Sequence, residues 1–177
     1  DPSKAVPLEG VKQGVNYAMI ISTSNGLWRY QIGDTVEFTS LAPYKIKITG
    51  RTKHFINAFG EELIIDNAET ALQAACAATG ALVSDYTAGP IYMGDRSKGS
   101  HQWLIEFNRA PEDMDQFTDC LDRELQHVNS DYEAKRFRDT TLMRPTVTVL
   151  SEGAFYRWMK SRGKTGGQNK VPRLCND

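Results

Sequence analysis

The 177-residue chain carries 21 Lys and Arg against 22 Asp and Glu, a formal net charge of −1, with 40% hydrophobic and 10% aromatic residues. That balance excludes a disordered tail or a fibre, and it lacks the basic excess of a general nucleic-acid binder. No apolar run approaches the roughly 20 residues that would span a bilayer, and the opening DPSKAVPLEG lacks the basic-then-apolar layout of a secretory signal.

After a lead-in punctuated by Pro and Gly, Asn16 to Thr23 is short and mostly apolar, as a buried strand would be, and Ser24-Asn25-Gly26 closes it as a turn. Leu27 to Gln31, the pair Gly33-Asp34, and alternating runs carrying Val36 and Phe38, then Ile46 and Ile48, predict antiparallel β structure. The pattern changes after Gly50-Arg51. Asp66 with Glu69 three residues on is a capping signature, and small or apolar residues at 68, 71, 72, 75 and 76 predict a helix over 67–79. Strands are expected at 81–87 and 101–107, flanking a polar GDRSKGS loop. Met114, Phe117, Leu121, Leu125 and Val128 repeat at spacings of 3 and 4, which predicts a second helix; a TVTVL strand (146–150) and a short helix to about 162 follow.

The chain thus divides into a β-rich part up to about residue 50 and a compact α+β part from 51 onward. Three or four strands with no helix to cover a face need another sheet or domain. A first residue that is not Met fits a segment of a longer polypeptide. Cys76, Cys120 and Cys175 form no metal-spaced pair, and their odd number suits a reducing, cytoplasmic setting.

Three stretches carry candidate chemistry. In GLWRYQIGDTV, a Gly-Asp ending an aromatic-rich strand offers the two acceptor oxygens of Asp34 to the two hydroxyls of a ribose diol; the competing reading is an ordinary turn Asp. In GRTKHFINAFGEELIIDNAE (50–69), Arg51 presents a fixed fork of donors and Gly60 can take backbone conformations closed to other residues; the competing reading is a surface hairpin entering a capped helix. From Ala154 to Asn176, Arg157, Lys160, Arg162, Lys164, Lys170 and Arg173 stand without an acidic residue, either as a solvated, frayed terminus or as a mobile anion-binding segment. Gly163-Lys164-Thr165 is not a P-loop, because position 158 is Trp where that motif needs Gly.

Other residues carry less. His54, His101 and His127 lie far apart with no ligand pattern, which favours exposed or packing roles over metal binding. Glu61-Glu62 reads as the end of a strand and the start of a solvated face. The stretch 129–136 reads as a helix turn, with Lys135 and Arg136 beside Tyr132 and a structural ion pair. No Ser/His/Asp order can be defended.

In this order the three stretches resemble the closing section of an adenylate-forming enzyme. GLWRYQIGDTV and QNKVPRL resemble more closely the auxin-responsive acyl acid amido synthetases of plants, and the whole chain looks like their bacterial relatives. The resemblance implies that residues 1–50 end a large adenylation domain and that 51–177 form a mobile C-terminal lid of α+β class, a mixed or antiparallel sheet with flanking helices. It implies that Asp34 holds the ribose hydroxyls of ATP and of the acyl-adenylate, with Tyr30 and Arg51 beside it. Lys53 falls at the pivot between half-reactions, and the loop at Phe59-Gly60 swings toward the active site for the second step. Lys170 assists adenylation, with Lys164 its rival because the wider superfamily often places that lysine after a glycine.

The implied activity is an ATP-dependent ligation. A carboxylic acid becomes an acyl-adenylate with loss of pyrophosphate, and an amine, expected to be an amino acid, displaces AMP. Mg²⁺ accompanies ATP and no metal ligands are identified here. The superfamily's β- and γ-phosphate loop, adenine segment and acyl pocket are not in this chain, so this segment alone is expected to be inactive and to need the upstream domain. Neither nucleic acid nor membrane is expected as a partner. Two alternatives stay open: transfer to a thiol such as coenzyme A, and a noncatalytic nucleotide-binding or interaction module whose basic tail docks on an acidic partner.

Overall fold

The computed structural model describes residues 5–52, 55–94, 98–164 and 170–176. The chain forms two compact units, Asp1–Lys53 and His54–Asp177.

The first unit is an antiparallel sheet of β1 (Asn16–Ile21), β2 (Tyr30–Leu41) and β3 (Tyr44–Arg51), in that order. Its buried side chains, among the described residues, are Val36, Phe38 and Thr49. Tyr17 and Tyr44 each meet the Phe38 ring edge-on at 6.0 Å, a geometry that aligns ring edges with ring faces. The alternating Ile46 and Ile48 do form a strand, yet both are exposed, Ile48 by 66%. One side of the sheet holds an open groove of about 880 Å³, lined by Leu8, Val11, Tyr17, Met19, Phe38 and Ile46 among others.

The second unit begins with a small hairpin of β4 (Phe55–Ile56) and β5 (Leu63–Ile64) that runs directly into helix α1 (Ile65–Thr79). The helix starts two residues before the expected position, because the Asn67 side chain accepts the Ile64 N–H at 3.2 Å and so replaces Asp66 as the capping group. Gly80 ends it with φ of +69°. A three-stranded sheet follows, with β6 (Leu82–Met93) antiparallel to β7 (Lys98–Arg109), and β7 parallel to β8 (Thr146–Leu150). Between β7 and β8 lie α2 (Met114–Val128) and α3 (Ser130–Arg136), capped by Asp113 and Asn129, and α4 (Ala154–Ser161) follows β8.

The expected α+β class is what the chain adopts, with antiparallel and parallel pairing in one sheet. The β6–β7 hairpin is longer than the sequence reading placed it. Pairing continues to Met93 opposite Lys98, so Lys98, Gly99 and Ser100 belong to a strand and not to the polar loop. The core of this unit interlocks Ala68, Ala71 and Ala75 of α1 with Phe117, Leu121 and Leu125 of α2 over Trp103 and Ile105 of β7. Small residues on α1 allow the helices to approach closely, and each of the named side chains is wholly removed from water. No described helix is long and apolar enough to cross a membrane.

Candidate functional site

Gly33-Asp34 lies inside β2 and not at its end, correcting the strand-terminal placement expected from sequence. Strand β2 begins only at Tyr30, since Arg29 takes a positive φ of 48° and its N–H bonds to Ser22 Oγ at 3.0 Å. Pairing with β1 then slips: Ile20 faces Gln31 but Ala18 faces Thr35, leaving two extra residues on β2 around Gly33. Gly33 adopts φ of +89°, which a glycine takes without strain. The result is a β-bulge, a device that re-aims a side chain by breaking the alternation of the strand.

On the other side of the bulge, β3 pairs Arg51 directly opposite Asp34. Thr52 closes the pair, its N–H donating to Gly33 O at 2.8 Å. A polar patch adjoins: the Thr49 hydroxyl is 2.6 Å from Asn16 Oδ1 and 3.0 Å from Thr35 Oγ1. Asp34 is half-buried, and Tyr30, four residues before it on β2, is exposed. Two residues separated by 17 positions in sequence, both singled out from motifs, are therefore cross-strand neighbours. Lys53 lies outside the described residues.

In the second unit, Phe59 and Gly60 sit in the turn between β4 and β5. Gly60 has φ of +85°, and a Cβ there would come 3.3 Å from Lys135 Nζ. Phe59 is buried, its ring 5.4 Å from that of Tyr92, and a Cβ on Gly99 would run into it. Glu61 is wholly buried, which overturns its reading as part of a solvated face. Its Oε1 lies 2.8 Å from His101 Nε2 and its Oε2 accepts the Phe59 N–H at 2.7 Å. Burial pushes the Glu61 carboxyl up, but the hydrogen bond and charge of His101, with the backbone N–H groups of Glu61 and Phe59, outweigh it and hold the group below its ordinary value. The sequence signal that could have found this pair was a carboxylate in an apolar, glycine-turned hairpin, and a histidine in an apolar alternating strand; each needs a buried partner.

A second buried polar cluster joins α2 to α3. Asp122 accepts from Tyr132 Oη at 2.8 Å and from Arg136 Nη2 at 2.7 Å, and Arg136 also donates to Leu142 O and pairs with Asp139. The structural ion pair expected around Tyr132 is thus present, made by Arg136.

The basic C-terminal stretch divides in two. Lys164 follows the end of α4, its N–H bonded to Met159 O at 3.0 Å, and its side chain is exposed. Residues 165–169 lie outside the described residues, and Lys170 is exposed just after them. From Arg173 the chain is docked, contrary to a frayed or wholly mobile tail. Ala88 of β6 exchanges hydrogen bonds of 2.9 Å with Arg173 O and Cys175 N, and Leu174 is buried. Arg173 pairs with Asp85 and lies 4.6 Å above the Tyr86 ring. Asn176 reaches β4, accepting the Asn57 N–H and donating to Phe55 O, each at 2.8 Å. Among the described residues no three His, Cys, Asp or Glu side chains group as a metal site would require.

Comparison with known proteins matches the model of the GH3 family central domain to residues 1–51 and that of the GH3 family C-terminal domain to residues 66–177. An indole-3-acetic acid-amido synthetase of Arabidopsis thaliana, GH3.4, is 26% identical over 192 residues, covering 99% of this chain and 31% of its own length. Another from the same plant, GH3.10, is 29% identical over 184 residues, covering 98% of this chain and 30% of its own. The solved GH3.15 acyl acid amido synthetase shares the fold with a TM-score of 0.72 at 22% identity, over 97% of this chain and 34% of that one. The chain spans about a third of the length of the curated relatives it matches. With its C-terminal unit matched along residues 66–177 and the central-domain match preceding it in the same order, the chain belongs to the GH3 family.

Proposed function

We propose that this chain is the C-terminal part of an ATP-dependent ligase that activates a carboxylic acid as its acyl-adenylate and conjugates it to an amine, an amino acid, in the cytoplasm. The observation that carries the reading is the pairing of Asp34 with Arg51 across a glycine bulge, in a chain whose two units match two successive domains of one family. The relatives named above are amido synthetases, which favours an amine over a thiol as acceptor.

The chemistry would run in two steps. A carboxylate oxygen attacks the α-phosphorus of ATP and pyrophosphate leaves; the amine nitrogen then attacks the acyl carbonyl, loses a proton, and AMP leaves. The half-buried Asp34 suits a ribose, since a carboxylate's two oxygens could accept both hydroxyls, and the bulge at Gly33 breaks the alternation of the strand beside it. Arg51 opposite it would support the same ribose, and Tyr30 would flank the nucleotide. Mg²⁺ would travel with the triphosphate. Lys170 would stabilise charge developing on the α-phosphate, with Lys164 the rival; both side chains are exposed. Lys53 would be the pivot, which the division of the units after Lys53 supports. The large domain that completes the site would lie upstream, and the exposed apolar residues of the first unit suit such a partner.

The test uses the polypeptide that joins this segment to its upstream region. Amide products with amino acids, and no thioester with coenzyme A, are expected. In the same protein Lys170→Ala should slow adenylation by about 100-fold or more while sparing transfer from preformed acyl-adenylate. Equal loss in both half-reactions would remove Lys170 from this role, and thioester as the sole product would change the acceptor class.

A further inference from the structure

The turn at residues 57–62 is held from several sides at once. From within, the Glu61 carboxylate accepts the Phe59 N–H at 2.7 Å and reaches His101 on β7 at 2.8 Å, both side chains having no exposed surface. From the start of α3, Asn129 Nδ2 donates to Glu62 O at 3.3 Å. From the tail, Asn176 holds Phe55 and Asn57. The backbone they hold is costly to form: Glu62, a residue with a side chain, sits at φ of +43° beside Gly60 at +85°. The grip ends at Phe59, whose ring lies where a glycine at 99 leaves it room.

A buried polar pair of this kind adds little net stability, because desolvating both groups consumes most of what their attraction returns. The arrangement around His101 makes the point: with Nε2 engaged by Glu61, Nδ1 is buried and has no partner among the described residues. What the pair supplies is geometry, since an apolar pair of similar volume could fill the space but could not accept the Phe59 N–H.

We infer that Glu61 and His101 are positioning residues which set the conformation of the Phe59-Gly60 turn for the second half-reaction, the attack of the amine on the acyl-adenylate. This rests on the reading of that turn as the one that acts in the second step. The pair touches neither substrate nor nucleotide; it acts through Phe59.

Two experiments test it. In the 177-residue chain, amide hydrogen exchange at Phe59 should be slow, should quicken on replacing the pair by Glu61→Leu with His101→Leu, and should stay slow in Glu61→Gln, whose side-chain oxygen still accepts that N–H. In the polypeptide that includes the upstream region, the double variant should lose on the order of 100-fold in acyl transfer, the scale of a misplacement by about an ångström. Adenylation should be unchanged, and Glu61→Gln should restore transfer. A double variant that exchanges Phe59 as slowly as the parent, that loses both half-reactions together, or that fails to fold overturns the inference, because the pair is then idle or merely structural. Phe59→Ala separates the underlying reading: if it leaves transfer untouched, the assignment of the turn to the second step is at fault, whereas slowed transfer in Phe59→Ala with none in the double variant refutes the positioning role alone.

Discussion

The two units place their apolar residues in opposite ways. In residues 1–53 Trp28, before β2, is 81% exposed and Ile48 of β3 66%, while in residues 54–177 Trp103 and Ile105 of a single strand are wholly buried under two helices. A sheet without a covering layer cannot hold itself together by burial, whereas a sheet packed by two helices can. The unit that bears the Asp34–Arg51 pair thus leaves much of its apolar surface exposed, and the unit with the helix-covered core bears Lys164, Lys170 and the Phe59-Gly60 turn. Under the proposed function, a C-terminal unit that carries its own core could move as one stable body between two half-reactions.

The sharpest way to break this comparison is to separate the units. Residues 54–177 alone should unfold cooperatively in denaturant with native far-ultraviolet circular dichroism, and residues 1–53 alone should show no cooperative transition; a folded 1–53 would contradict the contrast. Next in size, Trp103→Ala should cost about 4 kcal/mol, while Ile48→Ala should stay within about 0.5 kcal/mol, both read from urea midpoints of the whole chain. Asp122→Ala should cost about 3 kcal/mol, because it leaves the buried Tyr132 hydroxyl without its acceptor and the Arg136 guanidinium with only Asp139 and Leu142 O; Asp119→Ala, at the exposed pair with Arg144, should cost no more than about 1 kcal/mol.

The smallest effect is a pH dependence confined to the second unit. The folded Glu61 carboxyl titrates below its ordinary 4.5, so the stability it contributes is fully present above that pH and is lost as pH falls through the depressed folded value. Glu61→Gln should flatten that part of the acid limb of the stability curve, measured by urea titration at successive pH values. An acid limb identical to the parent's would show that Glu61 has no such linkage.

Legibility from sequence followed the range of the forces involved. Helix α2 was readable because Met114, Phe117, Leu121, Leu125 and Val128 define one face, and it spans Met114–Val128. Sequence alone ends one strand at 87 and begins the next at 101, since Gly89-Pro90 and Lys98-Gly99-Ser100 are turn-prone residues, yet cross-strand pairing carries through both. Gly99 in particular is required by the Phe59 ring and Ile91 O, a packing demand that composition does not display. Asp34 and Arg51 were singled out from motifs, but the bulge that sets them opposite each other arises from a register slip against β1. Glu61 and His101 stayed hidden because their meaning lies in a contact across 40 residues, and neither has a neighbour in sequence that reveals the other. The docking of Arg173 to Asn176 on β6 and β4 was hidden for the same reason.

The most direct measurement of the central claim is ATP/pyrophosphate exchange by the polypeptide that joins this segment to its upstream region, across aryl, indolyl and fatty carboxylic acids, with Asp34→Ala alongside. Exchange that depends on one class of acid and is lost in Asp34→Ala is the predicted result, and it would name the substrate class at the same time. A folded, ATP-binding protein that shows no exchange with any acid, or exchange that survives Asp34→Ala undiminished, would contradict the assignment of Asp34 and the adenylation it serves.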